Sequence, residues 1–329
     1  MKRLHTRLPG AIQKERLDEY LMMWLPTALG VPAISKTKVR ILLMSGAVYV
    51  NRHRNHIGAT PLFSGTIVEV YYDEEKMSKG MIRTDHMRLK SDQILYEDEW
   101  LIVINKPVGI PTQPTVDPGR ANLFDLVKKL LLSRVTNDKQ PYVGLHHRLD
   151  KDTSGLVLFT KKEEANKGVA NLFMGRNISK IYHCVTTKTL ASPRYSEDEK
   201  FEIESFIGKA APSKGTKSKI SRFCSVRAGG DYAQTNFKVL DVFRDAYWLE
   251  VEPQTGRTHQ IRVHCSENKI PILGDKLYFP KEMASFVQTP RLLLHACILK
   301  FEHPFTHQEI EIEAPLPDDF VHVLGSLMK

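Results

Sequence analysis

The chain has 329 residues, 42% of them hydrophobic, and a formal net charge of +9, enough for two ordinary domains or one large one with a substantial core. No apolar run nears the ~20 residues of a membrane span, the basic start MKRLHTRLPG lacks the apolar stretch of a secretory signal, and Cys184, Cys224, Cys265 and Cys297 form no CxxC pair, which excludes a disulfide framework and a cysteine zinc site and points to free thiols in the cytoplasm. Residues 1–72 hold ten Lys/Arg against four Asp/Glu, +6 of the total; this suits a polyanion such as nucleic acid, with a merely solvated basic face equally open on charge alone.

In chain order, residues 16–25 (RLDEYLMMWL) place Leu17, Tyr20, Leu21, Trp24 and Leu25 at helical spacing, with Pro26 and Gly30 expected to close the helix. Ser35 reads as the N-cap of a second helix, KTKVRILLMS, ended by Gly46. Val39, Leu42 and Leu43 form its buried stripe. Lys36 and Arg40, four apart, share a face away from it, with Lys38 beside them. AVYVN then enters a turn at Asn51, and GTIVEVYY, 65–72, returns as a strand. Residues 73–93 are charged and aperiodic and read as a linker.

LIVIN (101–105) reads as a buried strand broken after Lys106-Pro107, and NLFDLVKKLLL as a helix capped by Asn122. A charged string, LHHRLDKDTSGL (145–156), leads straight into the apolar run 156–159. A helix over 162–175, a strand KIYHCVTT, and a polar lysine-rich stretch over 194–222 containing a flexible basic loop follow. AQTNFKVLDVF and AYWLEVEP pair as strands, TGRTHQIRVH (255–264) reads as another, and LLLHACILKFEHP and EIEIEAPLP close the set. Many strands, short connections and few helices predict an α+β domain on a large, mainly antiparallel sheet.

The charged string poses the functional question. Asp150 at a strand mouth could cap, ligate a metal or react. His146, His147, Asp150 and Asp152 would be the metal set, but Arg148 and Lys151 lie among them and disfavour a cation. Asp152, Thr153 and Ser154 look like local turn chemistry. A group holding Asp150 ionised would come from TGRTHQIRVH. In a strand, Gln260, Arg262 and His264 share one face, so Arg262 turns to a cleft while Ile261 and Val263 go to the core. Arg262 beside Asp150 would keep it charged and orient it bidentately; a purely structural ion pair is the plain alternative.

HRLDKDTSGL (147–156), KIY (180–182), TGRTHQIRVH (255–264) and LHA (294–296), with YEDEWLIVINKPVGIPT and HPFTHQEIEIEAPLPDDF flanking, resemble the RluA-type pseudouridine synthase family over about residues 94–320. The segment 14–72 resembles an S4 RNA-binding domain, with Arg52 where a glycine commonly follows the turn Asn. Together they imply an S4-like domain (14–72), a linker (73–93) and a catalytic domain (94–320). Asp150 would be the essential aspartate, Tyr182 the active-site tyrosine and Arg262 its arginine partner. His147, Arg148, Lys180, Arg257 and, in the first domain, Lys36, Lys38 and Arg40 would meet RNA. The implied reaction detaches uracil from C1′, turns it and rejoins it through C5. One carboxylate suffices because no water must attack, in contrast to a glycosidase pair, and the base must leave its helix to be reached. No metal or other cofactor is required. The substrate expected is ribosomal RNA of the large subunit, with transfer RNA open, and the protein is expected to be monomeric. A non-catalytic RNA-binding assembly factor is the competing class, and a hydrolytic glycosidase a third. Tyr182 as a strand aromatic, His259 and His264 as structural histidines, and Arg257 as a loop brace are the plain readings beside these.

Overall fold

The computed structural model describes residues 2–10, 15–44, 47–55, 57–72, 87–115, 121–135, 141–210, 222–280 and 289–328. The chain divides into two compact units, Met1–Leu89 with Gln113–Thr136, and Lys90–Thr112 with Asn137–Lys329.

The first unit contains β1 (Lys2–Arg7), β2 (Glu15–Arg16), α1 (Leu17–Leu29), α2 (Lys36–Met44), β3 (Val48–Val50), β4 (His53–Arg54), β5 (Pro61–Leu62), β6 (Ile67–Tyr72) and α3 (Leu123–Leu132). Leu17, Leu21 and Leu25 of α1, Val39, Leu42 and Leu43 of α2, and Val48, Val68 and Val70 of the sheet form one core. The Lys38 N–H donates to Ser35 Oγ at 3.2 Å, the cap expected for α2. Asn122 caps α3 by accepting from the Asp125 N–H at 3.0 Å. Pro26 does not close α1. It lies inside the helix, which runs on to Leu29 and stops at Gly30 with φ 70°, a left-handed C-cap that glycine adopts at little cost. The strand β1 is not apparent in KRLHTR, where Leu4 is the one apolar residue; it adds to the edge of β6 with Leu4 opposite Val70. Of the expected linker, residues 73–86 and, of the second helix's end, Gly46 lie outside the described residues; Ser91–Gln93 is a single 3₁₀ turn.

The second unit contains β7 (Ile94–Glu97), β8 (Leu101–Lys106), β9 (Gly144–Leu145), β10 (Ser154–Thr160), α4 (Ala165–Met174), β11 (Ile178–Thr187), β12 (Lys200–Lys209), β13 (Phe223–Ser225), β14 (Asp231–Val242), β15 (Ala246–Pro253), α5 (Gln260–Glu267), β16 (Leu294–Glu302), β17 (Glu309–Glu313) and α6 (Asp318–Leu327). Among the described residues the sheet runs β13-β12-β14-β15-β11-β16-β10-β8-β7, with β17 added to β16 and β9 to β10. Every described pairing is antiparallel except β10 with β16, so the α+β architecture on a mainly antiparallel sheet is as the sequence implied. All seven residues of β10 are buried, which is why it carries no alternation. Leu156 and Leu158 pack with Ala165 and Val169 of α4.

Two segments depart from expectation. Lys200–Lys209, placed within a loop-like basic stretch, is a ten-residue strand with Phe201, Ile203, Ser205 and Ile207 inward and Glu202, Glu204 and Phe206 outward. Glutamates on its solvent face hide a period of two. TGRTHQIRVH is not a strand. From Gln260 it is α5, entered through His259 at φ 59°, and Gln260 to Cys265 are all buried. Six consecutive buried residues show no polar stripe, so the β-branched Ile261 and Val263 mimic strand alternation.

Candidate active site

The site begins where β8 leaves the sheet and β10 enters it. Thr112 Oγ donates to the Leu149 carbonyl at 2.8 Å and accepts from the Leu149 N–H at 3.1 Å. The Gly109 N–H donates to the Lys151 carbonyl at 2.9 Å. Lys106 is fully buried, and its Nζ donates to the carbonyls of Pro107, Ile110 and Lys151 at 3.1, 3.0 and 3.2 Å. Three carbonyls are the acceptor set of an ammonium's three N–H groups. Burial pushes its pKa down to about 7, opposed by the charges of Asp150 and Asp152. These bonds hold residues 149–151 from both sides. Gly155 then crosses close under β16 at φ 114°; a Cβ there would lie 2.1 Å from the Ala296 carbonyl oxygen, so only glycine allows the approach. Ser154 is not local turn chemistry: its Oγ bonds His295 Nδ1 at 2.8 Å and accepts from Arg291 Nη1 at 3.1 Å.

Arg262 does meet Asp150, through α5 and not through a strand. Its Nη1 donates to Asp150 Oδ2 at 3.0 Å. The pair is single-pronged; the bidentate partner of Arg262 is Asp275, at 2.7 and 2.8 Å. Among the described residues, Asp150 Oδ1 has no hydrogen-bond partner. His259 Nε2 lies 3.7 Å from Asp150 Oδ2, and its Nδ1 bonds the Tyr278 hydroxyl at 2.8 Å. Burial lowers the His259 pKa, with the Asp150 charge opposing. Burial alone would depress Arg262; the hydrogen bonds and charge of Asp275, then Asp150, reverse this and raise it. Burial pushes the Asp275 carboxyl up, and Arg262 with two backbone N–H groups brings it below its ordinary value.

Tyr182 sits on β11 opposite Val251 of β15 and Ala296 of β16, beside a register shift after Ile181. Its ring is 9% exposed, and burial, then the Asp150 charge, raises its pKa, keeping the phenol protonated. Tyr182, Asp150, Arg262, His147, Arg148, Lys180 and Arg257 line one cavity of ≈ 1050 Å³. Their roles there differ. His147 Nε2 accepts the Leu158 N–H at 2.9 Å and its ring stacks on Phe173 at 4.8 Å. Burial pushes its pKa down to about 3, so it offers phosphate no charge. Lys180 Nζ lies 5.9 Å from the Phe173 ring centroid, its pKa lowered by burial against the charge of Glu252. Arg148 is exposed. Arg257 Nε donates to the Tyr232 carbonyl at 2.9 Å, a loop brace that, among the described residues, leaves its outer N–H groups unspent. His264 is structural, between Thr235 Oγ at 2.9 Å and Ser205 Oγ at 3.0 Å. Lys36, Lys38 and Arg40 belong to α2 of the first unit, Lys36 and Arg40 exposed.

Sequence reasoning missed Asp275, Tyr278 and the burial of Lys106. The signals were faint: an acid inside the mostly apolar segment PILGDKLYF, and a lysine ending an almost fully apolar strand. A buried charge demands a partner, and that demand could have nominated both.

The family described as RNA pseudouridylate synthase matches residues 100–267. The chain is 31% identical to ribosomal large subunit pseudouridine synthase D of Vibrio cholerae, covering 89% of this chain and 87% of that one. It is 31% identical to ribosomal large subunit pseudouridine synthase C of Yersinia pestis over 96% and 92% of the two chains, and 29% identical to synthase D of Pseudomonas aeruginosa over 98% and 95%. The solved structure of human RNA pseudouridylate synthase domain containing 4 aligns with 71% of this chain and 92% of its own, at a TM-score of 0.55 and 25% identity.

Proposed function

Because the chain belongs to the RNA pseudouridylate synthase family, we propose that it isomerises uridines of large-subunit ribosomal RNA, with Asp150 as the essential carboxylate. The observation that carries this reading is the Asp150 carboxylate itself: one oxygen is bonded by Arg262, and the residue lines a cavity of ≈ 1050 Å³. Glu252, which also lines the cavity, accepts from Ser179 Oγ at 2.6 Å and, among the described residues, has no arginine partner of this kind. The named substrates of the relatives, ribosomal large subunits, favour ribosomal over transfer RNA.

The reaction breaks N1–C1′ and forms C5–C1′, and the C5 proton leaves as N1 gains one. Positive charge builds on the ribose as the first bond breaks, and Asp150 stabilises or captures it. Arg262 holds that carboxylate in direction through its hydrogen bond. Tyr182 supplies a ring for the extruded base to stack on; as a protonated phenol it is a hydrogen-bond donor, not a ready base. Arg148, Arg257 and Lys180 supply cations for the flanking phosphates. The first unit, with Lys36 and Arg40 sharing an exposed face of the Ser35-capped helix α2, acts as an S4-like RNA anchor.

The test uses large-subunit ribosomal RNA transcribed with uridine tritiated at C5. Wild-type protein should release tritium, and mapping should find new pseudouridines. Asp150→Asn should bind the RNA within about twofold of wild type and lose at least ~10³-fold in turnover, as expected when a reacting group is removed. Near-normal tritium release by the Asn variant overturns the assignment of Asp150, and binding without release by the wild type favours an assembly factor.

A further inference from the structure

Arg262 is held more firmly by Asp275 than by Asp150. Its Nε and Nη2 donate to the two Asp275 oxygens at 2.7 and 2.8 Å, leaving Nη1 for Asp150 at 3.0 Å. Such a fork fixes a guanidinium in plane and in direction. Asp275 is fixed in turn, its side chain 1% exposed. Its Oδ1 also accepts the N–H groups of Leu277 and Tyr278 at 2.9 and 3.0 Å. The same loop supplies Tyr278, whose ring centroid lies 5.0 Å from the Arg262 guanidinium carbon. The Tyr278 hydroxyl accepts from the Phe223 N–H at 2.9 Å and meets His259 Nδ1 at 2.8 Å. The loop can pass there because residue 274 is glycine: φ is 77°, and a Cβ would lie 1.8 Å from the Arg291 carbonyl oxygen.

We propose that Asp275 is the positioning residue of this site: it locks Arg262 so that one N–H faces Asp150, and its charge offsets that of Arg262, leaving the second Asp150 oxygen outside the arginine's grip. The inference rests on Asp150 being the reacting group. A fully bidentate Arg262–Asp150 pair would direct both oxygens at the arginine; the arrangement seen leaves Oδ1 for the sugar. The charged and titratable groups around Asp150 include Arg262, His259, Lys106, Tyr182 and Tyr278, and those around Asp275 include Arg262, His259, Tyr278 and Cys265. Removing the Asp275 charge leaves the others in place, so its effect can be read against them.

The experiment measures kcat and KM for tritium release from the same ribosomal transcript on wild type, Asp275→Asn, Asp275→Glu and Asp150→Asn, each checked for folding by circular dichroism. Asp275→Asn should lower kcat about 10²-fold with KM within twofold, the size expected for a reacting group misplaced by about an ångström. Asp275→Glu restores the charge but not the fit: kcat should recover to about tenfold below wild type. If Asp275→Asn does not fold, the Glu variant decides alone. Wild-type kcat in either variant overturns the proposal, as does a loss carried by KM and not by kcat, the signature of a merely structural pair. An active Asp150→Asn would sink the reading beneath it instead, whatever the Asp275 variants do.

Discussion

Arg52 follows Asn51 in the two-residue turn between β3 and β4, with φ 68° after φ 49°, and Val50 pairs with His53 across it. Two successive positive φ values make the type I′ turn that Asn-Gly favours. Asn51 suits the conformation, and its side chain also accepts the Ile67 N–H at 2.9 Å. Arginine carries a Cβ that crowds its own carbonyl in this region, at a cost of about 1 kcal/mol. Arg52→Gly should therefore stabilise the first unit by roughly 0.5–1 kcal/mol, after allowing for the greater freedom of glycine in the unfolded chain. Urea unfolding followed by the fluorescence of Trp24 would check it; an unchanged or lowered midpoint would mean that Arg52 makes a compensating contact. At this scale the sequence was informative where chemistry is local. Asp150 stood out by its neighbours, and the departure from glycine at 52 marked the strained residue. What stayed hidden was the partner from far along the chain: Asp275 lies 125 positions beyond Asp150, and no spacing rule connects them.

Among the elements, helices with a cap and a stripe were legible, as α1, α2 and α3 show, and so were strands with a uniform apolar run, as β8 and β10 show. β12 and α5 failed for opposite reasons. The first has glutamates on an exposed face, which reads as loop; the second is buried on all sides from Gln260 to Cys265. α5 nevertheless delivers Arg262 to Asp150, since the pairing required only that the two side chains meet. The cations of α2 give a test at this scale. Deleting the first 72 residues would be a poor one, because Gln113–Thr136 groups with the same unit and would be left without its neighbours. Changing Lys36, Lys38 and Arg40 together to alanine keeps the unit whole. If the three side chains neutralise phosphates, the slope of log K against log salt for the ribosomal transcript should fall by about 0.7–0.9 for each phosphate no longer neutralised, with kcat at saturating RNA unchanged. Parallel lines of equal affinity would mean that α2 is no RNA anchor.

For the whole molecule, the sheet that carries the site also buries imidazoles that resist protonation. His264 is 1% exposed and His295 fully buried. Burial pushes both pKa values down to about 4 from an ordinary 6.5, with the charge of Arg291 adding to the effect at His295. His146, His147 and His183 shift the same way through burial. The unfolded chain takes up protons at these histidines near pH 6.5, whereas the folded chain takes them up only at lower pH, about 4 at His264 and His295. Between those values the unfolded state binds more protons, so unfolding free energy rises with pH. The stability these groups contribute is complete above about pH 6.5 and is lost as pH falls towards 4. Each fully shifted group changes it by up to ~1.4 kcal/mol per pH unit inside that window. The urea midpoint should thus be flat from pH 8 to 7 and drop steeply from 6 to 4.5. The carboxylates held low by arginines, Asp275 and Asp319, add their own losses only at more acid pH. His264→Gln isolates one contributor, because the amide can still bond Thr235 and Ser205 on its two sides without titrating. Its midpoint at pH 7.5 should lie below that of wild type by no more than about 1 kcal/mol of stability, the cost of one imperfectly replaced hydrogen bond. Its slope between pH 6 and 4.5 should be shallower by about one proton. Equal slopes for the two proteins would show that His264 does not titrate with folding, and that the acid sensitivity of this sheet comes from elsewhere.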